Sequence, residues 1–319
     1  MLSYFMPDFN YGIITFIGTM LAFFMTCYLL HKCKGFLPAD QGREFAHDGK
    51  LSAGKPRGAG FIFILVFAGA YLLFGRLTIE RIIYVVLIIA SMLTGYLDDC
   101  AKNPWGEYKK GLLDLLIAVM AAVTYINFNG CGLTFSALGI SMELNPIVFG
   151  LLIVILVWTS INVTNCADGV DGLSGTLTII SLGTIYILIG LQEGDADFSY
   201  SILLFIVCIL GYLWYNATPS RMLMGDAGSR AMGIFIAIAI LKTDNPFMYI
   251  PVAFVLLMDG GLGLVKVALL RFLKIRILSN VRLPLHDHVR KIWEWSNTQT
   301  VFRFSIIQII ISMALIYAL

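Results

Sequence analysis

Charged residues are scarce in this chain: they make up 13% of its 319 residues, while 59% are hydrophobic. A typical soluble domain carries about 25% charged residues. Residues 146–161 and 173–191 contain no charged side chain. This composition excludes an ordinary soluble domain and predicts an integral membrane protein, for which we expect no nucleic-acid partner.

Several common ligand-binding and cross-linking patterns are absent. The six cysteines are scattered without a CxxC pair, which argues against a disulfide framework and against a zinc site. Neither the GxxxxGK(S/T) phosphate loop nor the ligand spacing of an EF-hand occurs. The first apolar run has no basic segment before it and no small-residue cleavage site after it, so we expect a retained span and not a cleaved signal peptide.

Apolar runs of about 20 residues, the length that crosses a bilayer, recur along the chain. They predict an all-α membrane fold in a single polytopic domain over residues 1–319. Ten spans are predicted, at residues 11–33, 58–75, 79–97, 111–128, 146–164, 173–191, 198–215, 228–241, 247–270 and 300–318. Residues 129–145 are Gly-rich with short alternating pieces, which predicts a small external hairpin.

Basic residues indicate which loops face the cytoplasm. They concentrate after the first, third and ninth predicted spans, whereas residues 129–145 and the first ten residues contain none. The odd-numbered loops are therefore predicted to be cytoplasmic, with both termini outside. The acidic motifs of the chain also fall on these loops, so we expect one cytoplasmic site built from several of them.

The segment from Asn162 to Gly172 lies between two uncharged runs and contains Asn165, Asp168, Gly169 and Asp171. Polar groups at the end of a span are costly unless something uses them. One helical turn at this place would aim both acids the same way. A simple polar turn is the competing interpretation, but a doubled Asp-Gly is more than a turn needs, and we interpret the segment as functional.

Two further acidic motifs end or begin a predicted span. Asp98 and Asp99 end the third span, where they suit a divalent cation or a general base, and Lys102 is predicted to share a helix face with Asp98. An interfacial cap with an ion pair is equally compatible. The Gly225-Asp226-x-Gly-Ser motif opens a helix, where it suits a metal, a phosphate or a plain N-cap.

Two basic loops complete the pattern. His286 and His288 flank Asp287 beside Arg282, which favours phosphate contact over zinc; the alternative is an amphipathic membrane-surface helix over residues 283–296. The loop from residue 47 to 60, with Lys50, is either positive-inside charge or a phosphate cradle. Carboxylates for Mg²⁺ and cations for phosphate together indicate phosphoryl transfer at a membrane surface.

This ordered set of motifs resembles the polyprenyl-phosphate N-acetylhexosamine-1-phosphate transferases over essentially the whole chain. The residues that carry the resemblance are Asp98-Asp99-x-x-Lys102, Asn162-x-x-Asn165-x-x-Asp168-Gly-x-Asp171-Gly, Gly225-Asp-x-Gly-Ser229 and Pro284-Leu-His-Asp-His288. Each motif alone is weak, and the combination is specific. The Pro-Leu-His-x-His form is most similar to the phospho-MurNAc-pentapeptide translocase branch.

The resemblance implies a ten-span enzyme, often a homodimer, in the plasma or inner membrane of a bacterium, with its active site on the cytoplasmic side. It would move phospho-MurNAc-pentapeptide from UDP to undecaprenyl phosphate with Mg²⁺, releasing UMP and forming lipid I. Asp226 would bind Mg²⁺ and Asp98, beside Asp99, would be the base. The residues implied to contact the nucleotide sugar, its diphosphate or its sugar are Lys50, Lys102, Asn165, Asp168, Gly169, Asp171, Asn216, Leu223, Arg282, His286 and His288.

Three departures from the family motifs are present. Asp287 stands where the family has a histidine, and Leu223 stands where an aromatic residue often stacks on uracil. The family motif Gly-Thr-Pro-Thr-Met-Gly-Gly is Gly54-Lys-Pro-Arg-Gly-Ala-Gly60 here, so that Lys55 and Arg57 replace two threonines. These changes leave room for a different donor, such as UDP-GlcNAc or another UDP-N-acetylhexosamine.

Two other classes compete with a transferase. An ion-coupled transporter would place its acids near the mid-plane, often in repeated halves, whereas these acids lie at span ends and no internal repeat is evident. A non-catalytic scaffold would need no such set of acids.

Overall fold

The computed structural model describes residues 1–5, 10–42, 52–135 and 139–319, and within these ranges the chain is a helical bundle with one two-stranded hairpin. The helices are α1 (Leu2–Phe5), α2 (Tyr11–Cys33), α3 (Gly60–Phe74), α4 (Ile79–Asp99), α5 (Glu107–Asn129), α6 (Pro146–Cys166), α7 (Leu173–Leu191), α8 (Ala196–Asn216), α9 (Gly225–Leu241), α10 (Tyr249–Val252), α11 (Phe254–Leu256), α12 (Leu262–Ala268), α13 (Leu285–Lys291) and α14 (Asn297–Ala318). Short 3₁₀ segments cover Lys34–Phe36 and Pro246–Met248, and π-helical segments cover Leu257–Gly261 and Leu269–Leu273.

A multi-pass helical membrane protein is the architecture that these elements form. In the described ranges, seven helices are long and apolar enough to cross a bilayer alone, and an eighth span results if a bent pair at residues 246–273 counts as one. Helices α3 and α9 coincide with two further predicted runs, but α3 has only 15 residues. The all-α membrane class is confirmed, whereas the count of ten spans and the external termini stay predictions.

Several membrane helices begin at a residue whose side chain caps the helix N-terminus. The Asp195 carboxylate accepts a hydrogen bond from Phe198 N at the start of α8, and Asn145 caps α6 ahead of a proline in its first turn. Ser296 and Gln299 form a capping box at the start of α14. These caps satisfy backbone N–H groups that have no partner within the helix.

Helix α9 lies at the centre of the bundle. Every residue from Gly225 to Leu241 is buried, and the helix packs against α3, α4, α6 and α7. The apolar residues of this helix are spread around all its sides, so it needs such an enclosing position. The short eighth apolar run of the sequence, which forms α9, is therefore surrounded by protein. The first turn of α9 lies where neighbouring helices end.

The ninth predicted span is broken, which the apolar pattern did not reveal. Its two halves, residues 246–252 and 254–273, meet at an angle of 76°. Gln308 of α14 satisfies the broken backbone, because its Nε2 donates to Pro251 O at 3.0 Å and its Oε1 accepts from Val255 N at 2.9 Å. Ser181 Oγ also donates to Val252 O at 2.8 Å. A proline and a buried glutamine on another helix together stabilise this bend.

The strand pairing of the predicted hairpin is confirmed in residues 132–135 and 140–143, and its external location stays a prediction. Strands β1 (Gly132–Phe135) and β2 (Ile140–Glu143) pair antiparallel, with Gly132 opposite Glu143. The predicted surface helix over 283–296 is only partly correct, because α13 ends at Lys291, before Trp293 and Trp295. Trp293 instead lies edge-on to His288, with ring centroids 5.7 Å apart.

Candidate active site

Four segments bring acidic and basic side chains together at one end of the bundle. Helix α4 contributes Asp98 and Asp99, the first turn of α9 contributes Asp226, and the first turn of α5 contributes Lys110. The loop before α3 contributes Arg57 and Asp40. We call these six side chains the cation–carboxylate cluster (Asp40, Arg57, Asp98, Asp99, Lys110 and Asp226).

Asp99 holds the N-terminus of α9. Its Oδ1 accepts a hydrogen bond from Asp226 N and its Oδ2 accepts one from Ala227 N, both at 3.1 Å. Gly225 makes this approach feasible, since its φ is +69° and a Cβ there would clash with the Asp99 carboxylate. An acidic side chain at the positive end of a helix is favourable. Asp99 therefore positions Asp226, and its side chain is fully buried.

Each of the three guanidinium nitrogens of Arg57 contacts a different carboxylate. Nε lies 2.8 Å from Asp99 Oδ1, Nη1 lies 3.1 Å from Asp40 Oδ1, and Nη2 lies 3.2 Å from Asp226 Oδ1. Burial lowers the pKa of Arg57, but Asp99 and Asp226 raise it more, so the net pKa is above its ordinary value. The side chain stays charged and links three segments of the cluster.

Lys110 joins the Asp98 carboxylate to that of Asp226. Its Nζ forms an ion pair with Asp98 Oδ2 and lies 3.1 Å from Asp226 Oδ2. Asp98 Oδ1 accepts a hydrogen bond from Trp105 N at 2.7 Å. Both oxygens of Asp226 thus face a cation, Arg57 on one side and Lys110 on the other.

A second ion pair lies one helical turn away, deeper in the bundle. Arg230 of α9 pairs with Asp114 of α5, and these residues are 3% and 1% exposed. Asn162 Nδ2 of α6 lies 3.4 Å from Asp114 Oδ2. The pair repeats the Lys110–Asp226 contact with its signs reversed, because residues four apart on a helix face the same neighbour. The two pairs fix the register of α5 against α9.

The Asp168–Gly172 turn adjoins the cluster through the loop at residues 217–224. Asp171 Oδ2 accepts a hydrogen bond from Ser220 N at 3.1 Å, and Lys55 Nζ donates to Ser220 Oγ at 2.9 Å. Asn216 bridges the same elements: its Oδ1 accepts from Gly172 N at 2.8 Å and its Nδ2 donates to Met222 O at 2.9 Å. The amide of Asn216 is buried and used within the protein.

His286 packs against this turn from α13. Its Nδ1 lies 2.8 Å from Asp259 Oδ2, and its backbone N–H donates to Asp259 Oδ1 at 2.7 Å. A Cβ at Gly169 would clash with His286 Nε2, so the glycine allows the ring to reach the turn. Burial lowers the pKa of His286, but the Asp259 carboxylate raises it more, and the net pKa lies above its ordinary value.

The other residues implied by the motifs are placed as follows. Lys50 lies outside the described residues. Lys102 is exposed and follows the end of α4, so the prediction that it shares a helix face with Asp98 is wrong; Lys110 pairs with Asp98 instead. Asp168 and Asp171 lie in a turn and not in a helical turn, since α6 ends at Cys166.

Four more positions lie near the turn and α13. Asn165 is half-buried in the last turn of α6, and Leu223 is half-buried with its N–H on Pro56 O at 2.8 Å. His288 Nδ1 accepts from Arg282 N at 3.2 Å, and the Arg282 side chain is exposed.

A divalent cation fits the charge of the cation–carboxylate cluster. Among the described residues, no three His, Cys, Asp or Glu side chains converge enough to hold a metal by themselves. Mg²⁺ commonly takes one or two protein carboxylates and completes its shell with substrate phosphates and water. Four carboxylates of the cluster face two cations, and the excess of two negative charges matches one Mg²⁺.

Comparison with known proteins identifies the family. The model of glycosyl transferase family 4 matches residues 81–244. A phospho-N-acetylmuramoyl-pentapeptide-transferase of Treponema pallidum is 41% identical, over 96% of this chain and 90% of the relative. This chain belongs to glycosyl transferase family 4, in its phospho-N-acetylmuramoyl-pentapeptide-transferase branch. Transferases of the same name from Symbiobacterium thermophilum and Clostridium botulinum are 30% and 28% identical, over 80% and 89% of this chain.

Six residues that lie in or next to this site were not predicted as site residues: Asp40, Arg57, Lys110, Asp114, Arg230 and Asp259. The last three lie inside predicted apolar spans, and an ionisable residue there is a functional signal in itself. Lys110 was predicted only to be one of the basic residues of the cytoplasmic loop after the third span. Asp40 carried no signal in the sequence, because its importance arises from its contact with Arg57.

Proposed function

We propose that this chain transfers phospho-N-acetylmuramoyl-pentapeptide from UDP to a polyprenyl phosphate, releasing UMP and forming lipid I for peptidoglycan. The names of its relatives support the reaction and the donor. The structural observation that carries the proposal is Asp226, held at a helix N-terminus between Arg57 and Lys110 and beside Asp98. Carboxylates and cations so arranged suit a site for several phosphate groups.

The reaction is a direct displacement. An oxygen of the lipid phosphate forms a bond to the sugar-bearing phosphorus of the donor. The bond from that phosphorus to the bridging oxygen breaks, and UMP leaves with the oxygen. We assign to Asp98 the acceptance of the lipid phosphate proton, and to Lys110, which bridges Asp98 and Asp226, the stabilisation of charge on the transferred group.

Mg²⁺ is part of this proposal. When bound, it would neutralise charge on the diphosphate and act as a Lewis acid, and Asp226 would hold it, with Asp98 close by. Asp99 has both oxygens on the α9 backbone and is assigned as a positioning residue. Asn216 is assigned the same role, because both ends of its amide are used within the protein.

The nucleotide-sugar pocket is proposed along the Asp168–Gly172 turn. Asn165, Asp168 and Asp171 would contact the uridine and sugar. His286, with its raised pKa, would meet the diphosphate as a cation. His288 and Arg282 are proposed as further phosphate contacts on the same loop.

The membrane setting completes the proposal. We infer ten spans with both termini outside, a cytoplasmic site, a bacterial plasma or inner membrane and a homodimer. The basic loops after the predicted first, third and ninth spans support the orientation. A lipid phosphate at the membrane surface would reach this site at the ends of α4 and α6 and the start of α9.

Release of UMP by purified protein tests the reaction. Polyprenyl phosphate, the muramoyl-pentapeptide donor and Mg²⁺ would be supplied, and Asp226→Asn is expected to lower turnover at least about 100-fold. Chelation of divalent ions is expected to abolish turnover reversibly. Glu143→Gln, an exposed acid on the hairpin, is the matched control and should leave the rate unchanged. Full turnover by folded Asp226→Asn protein would contradict the proposal.

A further inference from the structure

Arg57 occupies one of the two carboxylate oxygens of Asp226, the proposed metal ligand. Its Nη2 lies 3.2 Å from Asp226 Oδ1, the oxygen that is not paired with Lys110. The side chain is 18% exposed, whereas the Asp99 and Asp40 carboxylates that hold it are 0% and 3% exposed. A guanidinium and a divalent cation cannot both take this oxygen at close range.

Arg57 is attached at three points, so its contact with Asp226 can open while its contacts with Asp99 and Asp40 persist. Nε and Nη1 lie 2.8 and 3.1 Å from Asp99 and Asp40, and the contact to Asp226 is the longest of the three. The Asp40 carboxylate is itself fixed, because its Oδ2 accepts from Ser52 Oγ at 2.8 Å and from Gly42 N at 3.1 Å. Arg57 can therefore release Asp226 without leaving the cluster.

The guanidinium also offsets the repulsion between neighbouring carboxylates in the metal-free protein. Asp226 is 7% exposed and lies close to Asp98 and Asp99, and like charges in such a place repel. An arginine has five donors in a fixed fork, so it can serve three carboxylates at once, which the single ammonium of a lysine does less well. The same property that stabilises the metal-free cluster opposes metal entry.

We propose that Arg57 is an internal counter-cation that competes with the divalent cation for Asp226 and so weakens metal binding to the substrate-free protein. This inference rests on the proposed function for the identity of the metal site. Substrate phosphates bring additional oxygen ligands, so the metal displaces Arg57 from Asp226 when the nucleotide donor is bound. Metal binding and donor binding are thereby coupled, each strengthening the other.

Binding of Mn²⁺ to the purified, substrate-free protein tests the competition without any turnover. The free ion would be measured by electron paramagnetic resonance in detergent, for wild type and Arg57→Thr. Removing a positive charge beside the metal ligand is expected to tighten Mn²⁺ binding at least about tenfold, given the strength of a charge pair near a protein surface. Arg221→Gln is the control, since Arg221 is exposed, and it should bind Mn²⁺ as wild type does.

Two further variants keep the test decisive. Arg57→Gln removes the charge with a longer side chain and is the second variant if Arg57→Thr fails to fold. Arg57→Lys retains a charge without the fork and should give an intermediate affinity. Unchanged or weaker Mn²⁺ binding by the folded neutral variants would overturn the proposal, because Arg57 would then support the metal and not oppose it.

The donor provides a second readout. In wild type, the UDP donor is expected to tighten Mn²⁺ binding, and this increase should be smaller in Arg57→Thr. If the wild type releases no UMP but the neutral variants bind Mn²⁺ more tightly, the transfer reaction is wrong and the competition stands. If UMP is released but Mn²⁺ affinity does not respond to Arg57, the competition is wrong and the reaction stands.

Discussion

Arg230 on α9 pairs with Asp114 on α5, and both side chains are buried within the bundle. The pair lies one helical turn from Lys110 and Asp226, with the signs reversed between the two helices. An ion pair away from water contributes mainly when both partners are present, because either charge alone is costly to bury. Its position indicates that it sets where the ends of α5 and α9 meet.

A double-mutant cycle tests this positioning role. Asp114→Asn leaves a buried guanidinium without its carboxylate and is expected to cost about 3–5 kcal/mol of stability. The combined Asp114→Asn, Arg230→Gln protein should be destabilised by less than the sum of the single changes. The measurement is thermal unfolding in detergent, together with UMP release, which should fall with the shift of Lys110 relative to Asp226. Additive destabilisation would show that the two side chains act independently.

Replacement of Asp99 separates positioning from proton transfer. Asp99→Ala removes the acceptor of two backbone hydrogen bonds at the start of α9, so we expect a loss of about 1–3 kcal/mol in stability and a lower kcat. Asp99→Asn keeps an acceptor oxygen and should recover part of both. If Asp99 were the base, Asp99→Asn would be as inactive as Asp99→Ala with normal stability, and pH profiles of kcat would show which holds.

The His286–Asp259 pair predicts a pH dependence. The pKa of His286 is raised above the ordinary value of about 6.5, because the nearby carboxylate outweighs the burial of the ring. A raised pKa means that the folded protein binds this proton more tightly than the unfolded chain. The stability from the pair is therefore complete below the unfolded pKa and is lost as pH rises through the folded pKa.

Asp259→Asn should remove this effect. The fall in melting temperature with rising pH above about 6.5 is expected to flatten in the variant. The alkaline loss of kcat/KM should move to lower pH, since His286 would lose its proton earlier. Identical pH profiles for wild type and Asp259→Asn would contradict the assignment of a charged His286.

Gly169 is predicted to be intolerant of any side chain. A methyl group there clashes with the Nε2 atom of His286, so Gly169→Ala should displace the ring and lower kcat/KM at least about tenfold, as expected when a positioned group shifts by an ångström. Gly183→Ala is the matched control, because its new Cβ meets no atom within 4 Å. That control should keep full activity and gain stability in its helix. If the two variants were equally active, the contact between Gly169 and His286 would have no role in the reaction.

Much of the fold was predictable because membrane spans are encoded by long apolar runs. Helix α7 has the bounds predicted, Leu173–Leu191, and the hairpin formed where Gly-rich alternation indicated it. The bend at residue 253 was not predictable from hydropathy, since its stability depends on Gln308 from a distant helix. The burial of α9 on all sides likewise depends on its neighbours and not on its own sequence.

The acidic motifs of the candidate site could be identified in the sequence, but the ion pairs that their side chains form could not. Asp98, Asp226 and the Asp168–Gly172 turn stood out because charges at span ends are unusual. Lys102 was favoured as the partner of Asp98 by its spacing, but α4 ends at Asp99 and Lys110 of the next helix takes that role. Contacts between segments that are distant in sequence, such as that of Arg57 with Asp226, carry no local pattern in the sequence.

A comparison of donors tests most directly which nucleotide sugar this protein uses. UMP release would be measured with polyprenyl phosphate and Mg²⁺, offering UDP-MurNAc-pentapeptide and UDP-GlcNAc separately to the same folded preparation. Turnover with the muramoyl donor alone is the expected result. Turnover with UDP-GlcNAc alone would assign the chain to another donor class, and no turnover with either donor would contradict the transferase account itself.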